Sequence, residues 1–324
     1  MRDTTLAEPS RPQGREGARS KTARKTMMTV SSRRKRNEAL TAYLFLLPLF
    51  IGAIIFNFYP IVRSLYLSLT ETGFFSGETF VGLEQYTKLL QDPEMWRALG
   101  NTLTYAVVGL LGIPIAVMIA GLLNRKGLRF VSGYRIIYFI PVVTMPVAVG
   151  LVWKFLFSTE YGLVNQSLST VGIPPIAWLT DPNTVMITIA LVGIWASLGQ
   201  NIVLMIAGLQ TVPSDLLEAA ALDGAGSIRR FFRISVPIAS PTIFLVSVLT
   251  VIGSLQVFDL VFVMIGPTSP NVRNAETIVY YFYQTAIVEQ NRGYGAAIVC
   301  VLLVLTLLLT LAQFRLQKKW VHYE

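Results

Sequence analysis

Long apolar segments alternate with short polar ones along most of the chain. Windows of about 20 residues, enough for a helix to cross a hydrocarbon core of about 30 Å, pick out six such segments. They lie at roughly 40–62, 101–123, 135–157, 184–209, 239–265 and 293–314. The pattern predicts an all-α integral membrane protein, with six transmembrane helices in a domain that covers residues 39–317.

The composition supports a membrane protein and removes several other classes. Hydrophobic residues make up 53% of the chain, charged residues 14%, and the mean hydropathy is +0.57. Cys300 is the only cysteine and His322 the only histidine, so a disulfide within the chain or a Cys/His metal site is not expected. The sequence contains neither a G-x4-G-K-[S/T] loop nor a G-x-S-x-G elbow. We therefore expect no enzyme activity and no cofactor in this chain; if ATP drives its function, another chain binds the ATP.

The basic residues predict the orientation in the membrane. Six crossings place both termini on one side, and 21 of the 27 Lys and Arg residues fall on that side, against 6 on the other. Without residues 1–39 the counts are 10 and 6. By the positive-inside rule, the N- and C-termini are predicted to be cytoplasmic.

Two polar tails flank the apolar domain. Residues 1–38 are rich in Arg, Ser, Thr and Gly and end near Arg33-Arg34-Lys35-Arg36, a composition that predicts a disordered basic cytoplasmic tail. Such a tail could bind nucleic acid or orient the first span. We favour orientation, because basic residues beside a span are attracted to anionic lipid, and we expect no nucleic-acid partner. Residues 318–324 form a second cytoplasmic tail.

A polar, alanine-rich loop at 210–238 separates the fourth and fifth apolar segments. Pro213 ends the preceding helix, Ser214 is suited to cap a new one, and Gly224 to stop it. Ala219 and Ala220 lack bulk, so a partner surface could approach this short helix closely. The alternative is an ordinary amphipathic connector on the membrane surface.

The loop also carries a spaced motif. Glu218-Ala219-Ala220 is followed by Gly224, then by nine residues up to Ile234, and by Pro237, with Val236 at a position where Leu is usual. This resembles the E-A-A-x3-G-x9-I-x-L-P loop of permease subunits in binding-protein-dependent ABC importers. The resemblance covers the chain from about Ala42 onward. Within the family, the chain is most similar to the sugar-type members, for example at Val257-Phe258-Asp259-Leu260.

The resemblance implies a fold, a location and partners. The fold is that of a type I ABC importer permease in the bacterial cytoplasmic (inner) membrane. The implied partners are a second permease subunit in a heterodimer, an ABC ATPase dimer that binds ATP and Mg, and an extracytoplasmic solute-binding protein. This chain would form half of the pore. The residues expected to couple it to the ATPase are Glu218, Ala219, Ala220, Asp223, Gly224 and Ala225.

Polar residues inside the fourth and fifth segments are the candidates for substrate contact, because polar groups in spans usually face protein, water or substrate. They are Ser197, Gln200, Asn201, Thr250, Ser254, Gln256 and Asp259, with Val257 on the same stripe. Hydroxyl and amide groups suit a neutral sugar or polyol. The alternative is packing between helices, which also uses Ser, Thr and Gln.

Two other functional classes stay open at this point. An ion-coupled secondary transporter of a small polar solute would need charges inside the membrane, for which Asp259 is the plausible candidate. A membrane scaffold without transport would not need polar stripes in two spans.

Overall fold

The computed structural model describes residues 38–73, 77–124, 127, 131–318 and 321. The predicted tails at 1–38 and 318–324 therefore lie almost entirely outside the described residues. The chain divides into two compact units, one up to Arg63 and one from Ser64 onward. The described part of the first unit belongs to helix α1, Glu38–Leu67, which contains a π-helical turn at Ile54–Phe58 just before Pro60.

A β-hairpin follows α1 and departs from the all-α expectation. Strand β1, Thr70–Gly73, pairs antiparallel with β2, Gly77–Phe80. The hairpin is anchored to later parts of the second unit: the Gln85 side chain donates to the Thr70 carbonyl at 3.2 Å, and the Gly293 amide donates to the Thr72 hydroxyl at 3.2 Å.

The second apolar segment forms a nearly continuous helix of 31 residues, Pro93–Leu123. Short helix α2, Glu84–Gln91, precedes it, and the long helix consists of α3, Pro93–Leu110, and α4, Gly112–Leu123. Pro93 suits the first helical position, where no backbone donor is needed. Large apolar side chains at helical spacing are exposed along one face, as expected where a helix meets lipid or another subunit. They are Val107, Leu111, Ile115, Met118 and Leu122.

The third apolar segment is bent rather than straight. It consists of helix α5, Val131–Val143, and helix α6, Pro146–Leu156; the part of α5 from Ile136 to Val143 meets α6 at 108°. Pro146 causes the break, because the residue before a proline avoids the helical region, and Met145 has ψ 132. The apolar segment predicted at 135–157 therefore contains two helices joined at a bend rather than one continuous helix. Helix α7, Leu163–Ser169, lies in the following loop.

Helix α8, Val185–Gln210, is the central helix of the second unit and packs against α3, α4, α5 and the two helices of the fifth segment, Ser240–Leu255 and Asp259–Ile265. Its closest crossing is with α5 at Gly199, where an added Cβ would lie 1.9 Å from the Tyr138 carbonyl oxygen. Two buried apolar clusters form along α8, one around Val185, Ile189 and Val192 and one around Ile202 and Met205. At the crossing of α5 and α8, only glycine at position 199 permits the two backbones to approach so closely.

The loop after α8 leads into the fifth segment through several short helices. These are α9, Ser214–Leu222, α10, Ser227–Arg230, a π-helical turn at Phe231–Ser235, and α11, Val236–Ile238. The fifth segment consists of α12, Ser240–Leu255, and α13, Asp259–Ile265. The stretch from Ser227 to Ile238 meets α12 at 68°. Helix α12 and helix α13 are separated by an interruption at Gln256–Phe258, inside the apolar segment predicted at 239–265.

The last segment completes a third buried cluster. Helices α14, Val272–Ala275, and α15, Ile278–Tyr283, precede α16, Arg292–Gln317, with a π-helical turn at Gln284–Val288. Ile278, Ala297 and Ile298 pack with Leu89 and Met95. Among the described residues, four helices are long and apolar enough to cross a membrane, and up to six if each bent pair is one span.

Candidate coupling loop and translocation pathway

Helix α9 is a short helix with a complete C-terminal cap. The Gly224 amide donates to the Ala221 carbonyl at 3.1 Å, and the Ala225 amide donates to the Ala220 carbonyl at 2.9 Å. This is the Schellman arrangement, which requires a left-handed residue after the helix, and Gly224 has φ +80. The expected helix and its stop are confirmed. The expected cap at Ser214 is wrong: Pro213 holds the N-cap position, and the Ser214 hydroxyl lies 3.3 Å from Asp215 Oδ1.

The predicted coupling residues divide by position. Ala220, Gly224 and Ala225 form the cap, whereas Glu218, Ala219 and Asp223 are exposed on the surface of the loop. The loop also exposes large apolar side chains. They are Leu222, 90% exposed, Ile228, 70%, Phe232, 55%, and Leu216, 46%. Exposed apolar side chains beside carboxylates are typical of a protein interface.

A hydrogen bond fixes the two halves of the loop to one another. Arg230 Nη1 donates to the Leu217 carbonyl at 2.9 Å, and so ties the end of α10 to the middle of α9. The phenyl ring of the next residue, Phe231, packs against the buried cluster shared by α4, α8 and α12.

The candidate pathway residues lie in two settings. Ser197 and Gln200 on α8 are exposed, as are Gln256 and Asp259 at the interruption of the fifth segment. Asn201 and Ser254 are buried, at 9% and 5% exposure, and Thr250 and Val257 are half-buried. An added Cβ on Gly109 of α3 would lie 3.1 Å from Ser254 Oγ and 3.9 Å from Thr250 Cγ2. Thr250 and Ser254 therefore face the second span, whereas Ser197, Gln200, Gln256 and Asp259 are available to solvent, a substrate or a partner.

The interruption of the fifth segment is held by specific contacts. The Thr277 hydroxyl donates to the Val257 carbonyl at 2.9 Å, which replaces a bond that the interrupted helix cannot supply. The Phe258 ring lies 5.2 Å from Phe262 and 5.1 Å from Tyr283, centroid to centroid. Within a membrane span, irregular backbone occurs where it is buried in protein or lines a water-filled cavity.

Two carboxyl groups near the start of the second span have contrasting environments. Asp92 caps α3 by accepting from the Glu94 amide at 2.9 Å, and it also accepts from the hydroxyls of Tyr281 and, at 2.6 Å, Tyr294. Burial alone would raise the pKa of Asp92, but these hydrogen bonds outweigh it and hold the pKa below its ordinary value. Burial, with repulsion from Glu94 and Glu289, raises the pKa of Glu276 to about 7.

Among the residues that the structure describes, no three His, Cys, Asp or Glu side chains come together in a way that could hold a metal ion. The arrangement is a bundle of apolar helices with an exposed, preorganised loop and a discontinuous helix beside exposed polar groups. Such an arrangement can bind a partner at the loop.

Comparison with known proteins places this arrangement in a family. The model for the binding-protein-dependent transport system inner membrane component matches residues 112–322. The chain belongs to that family. The match contains the coupling loop, α8 and the interrupted fifth segment, so the family resemblance given by the loop motif is confirmed.

Relatives of this inner membrane component are similar over almost their whole length. The probable ABC transporter permease protein YurN of Bacillus subtilis is 35% identical over 284 residues, which is 85% of this chain and 95% of the relative. The arabinooligosaccharides transport system permease protein AraP of the same organism is 34% identical over 277 residues, 85% of this chain and 87% of the relative.

The fold has a solved counterpart. A chain in the crystal structure of a bacterial alginate ABC transporter, in complex with an alginate pentasaccharide-bound periplasmic protein, superposes with a TM-score of 0.78 at 23% identity. The match covers 88% of this chain and 96% of that chain. The fold of this inner membrane component is therefore that of an ABC importer permease.

Proposed function

We propose that this chain forms half of the translocation pore of an ATP-driven importer that takes up a neutral saccharide or polyol delivered by a binding protein. The capped, exposed loop helix α9 carries this proposal, because an exposed helix bearing Glu218 and Leu222 is suited to a cleft on another protein. Each bent helix pair is one span, giving six, and both termini lie in the cytoplasm of a bacterium.

The proposed partners follow from this arrangement. An ABC ATPase dimer binds ATP and Mg²⁺ and holds α9, a second permease subunit supplies the other half of the pore, and an extracytoplasmic solute-binding protein delivers the substrate. The exposed stripe on α3 and α4 supports burial against lipid or a second subunit.

The substrate class is supported by the chemistry of the pathway. The exposed polar side chains Ser197, Gln200 and Gln256 offer hydroxyl and amide groups, which bind a sugar without desolvating a net charge. No Lys or Arg occurs in 185–210 or 240–265. The relative named for arabinooligosaccharides is consistent with a saccharide.

The test is to purify the chain gently from native membranes and identify the proteins that accompany it. Wild type should retain an ATPase and a second permease, whereas Glu218→Lys and Gly224→Asp should lose the ATPase and keep the permease. Glu160→Lys is the control for charge, since Glu160 is exposed in another loop. Gly172→Asp is the control for backbone strain, since Gly172 also has a positive φ, +82, and open space around it.

The same purification can contradict the proposal. If wild type retains no ATPase, while uptake in vesicles collapses when ion gradients are dissipated, the ion-coupled secondary transporter replaces the importer. Asp259 would then be the first residue to neutralise.

A further inference from the structure

The ring of Phe231 lies directly on the backbone of the second span. A Cβ added to Gly121 in α4 would lie 2.3 Å from Phe231 Cε2 and 2.5 Å from Cζ. No other residue type at position 121 leaves room for the ring in its present place, because real Cβ atoms do not approach carbon atoms so closely. The loop thus contacts α4 through an aromatic ring that lies on a glycine.

The other side of this contact is the exposed loop helix. Arg230 precedes Phe231 and donates from Nη1 to the Leu217 carbonyl in α9 at 2.9 Å. Arg230 is half-buried, whereas its neighbour Arg229 is exposed. Helix α9 is therefore connected to Arg230 through a hydrogen bond, and Arg230 to Phe231 through one peptide unit.

The helix that leads from the loop into the fifth span contains a wider, π-helical turn that begins at Phe231. The Val236 amide bonds to the Phe231 carbonyl, which gives a π-helical turn in front of Pro237. Proline has no amide hydrogen and its ring would crowd the carbonyl four residues earlier, so a wider turn is favoured here. Phe231 thus begins the turn from which the chain enters α11 and α12.

We propose that Arg230 and Phe231 are positioning residues that transmit movement of the coupling loop to the second span, with the Phe231 ring seated on Gly121. This rests on the proposed importer function. Packed interfaces transmit displacement because they resist compression and repack between discrete arrangements. A phenyl ring has few rotatable bonds. Held against the backbone, it changes conformation less under a displacement than a flexible aliphatic side chain in its place.

The test uses the complete importer, reconstituted in liposomes with its binding protein and saccharide. For each variant we would measure the ATPase retained, the rate of ATP hydrolysis, and the substrate taken up per ATP hydrolysed. Phe231→Ala, Gly121→Ala and Arg230→Met should each keep the ATPase bound and lower the uptake per ATP by about tenfold, within the range typical of coupling between sites.

The chain offers matched controls for each change. Gly100 lies in the same long helix as Gly121, Pro93–Leu123, and nothing is within 4 Å of a Cβ added there. Gly100→Ala should therefore leave the uptake per ATP unchanged. Arg229→Met removes an exposed neighbouring charge and should do the same. In the double variant Gly121→Ala/Phe231→Leu the smaller side chain relieves the clash, so uptake per ATP should recover at least partly relative to Gly121→Ala.

The outcomes separate the two proposals. If the variants lower uptake and hydrolysis in parallel with the amount of assembled complex, the two residues only stabilise the fold and the inference is wrong. It is equally wrong if uptake per ATP is unaffected by Phe231→Ala. Failure of the importer function itself would instead show as a wild-type chain that retains no ATPase.

Discussion

Asp92 and Glu276 show how neighbouring groups decide the state of a carboxyl. Asp92 accepts hydrogen bonds from two tyrosine hydroxyls and a backbone amide, so its charged form is favoured and its pKa is lowered. Glu276 is only 7% exposed, and Glu94 and Glu289 add to the effect of burial, so its pKa is raised to about 7. Asp92 therefore stabilises the packing of α3 against α15 and α16 as a carboxylate, whereas ionised Glu276 destabilises the fold.

The pH dependence of stability should reveal Glu276. Its folded-state pKa of about 7 lies above the ordinary value of 4.5, so between these values the folded state binds more protons, and stability falls as the pH rises through this window. Glu276→Gln should remove this slope and raise the stability at pH 8 by about 1–3 kcal/mol. The measurement is the Tm of the purified complex from pH 5 to pH 8.

Glu289→Gln is the control for this prediction, because Glu289 is exposed and its neutralisation should leave most of the slope in place. An unchanged slope in Glu276→Gln would show that another group titrates in this window.

At the scale of elements, the crossing of α5 and α8 depends on Gly199. An added Cβ would lie 1.9 Å from the carbonyl oxygen of Tyr138, a backbone atom that cannot move without shifting α5. Gly199→Ala should therefore lower stability by about 1–3 kcal/mol, the usual cost of overpacking, and lower the Tm of the purified complex. Gly253→Ala, with nothing within 4 Å of the new Cβ, should leave the Tm unchanged. Equal Tm values for the two variants would contradict the close contact between Gly199 and the Tyr138 carbonyl.

At the scale of the whole molecule, the sequence predicts the elements better than their shapes. The apolar windows locate every long helix, and Gly224 identifies the end of α9, since both signals are local. The interruption at Gln256–Phe258 was missed because apolar residues continue on both sides of it and no proline marks it. The contact of Phe231 with Gly121 joins residues from separate helices, and no local periodicity encodes which helices meet.

The same limit applies to the pathway residues. Helical spacing places Ser254 beside Thr250, and the structure directs both toward Gly109 of α3. The sequence could predict that these residues share a face, but not whether that face meets a substrate or a helix, because this depends on how the spans are arranged.

The number of spans can be decided by cysteine labelling, because six and four spans place the loops differently. With six spans, Asn124 and Ser227 lie on one side, and Glu160 and Thr79 on the other. If each bent pair were instead a re-entrant loop, Glu160 would share the side of Asn124 and Ser227 would lie opposite.

Single cysteines at these exposed positions, introduced into a Cys300→Ser background, can be labelled in intact and permeabilised cells with a membrane-impermeant maleimide. We expect Thr79→Cys and Glu160→Cys to react in intact cells, and Asn124→Cys and Ser227→Cys only after permeabilisation. Labelling of Ser227→Cys in intact cells would place the loop outside, where no ATPase could bind it.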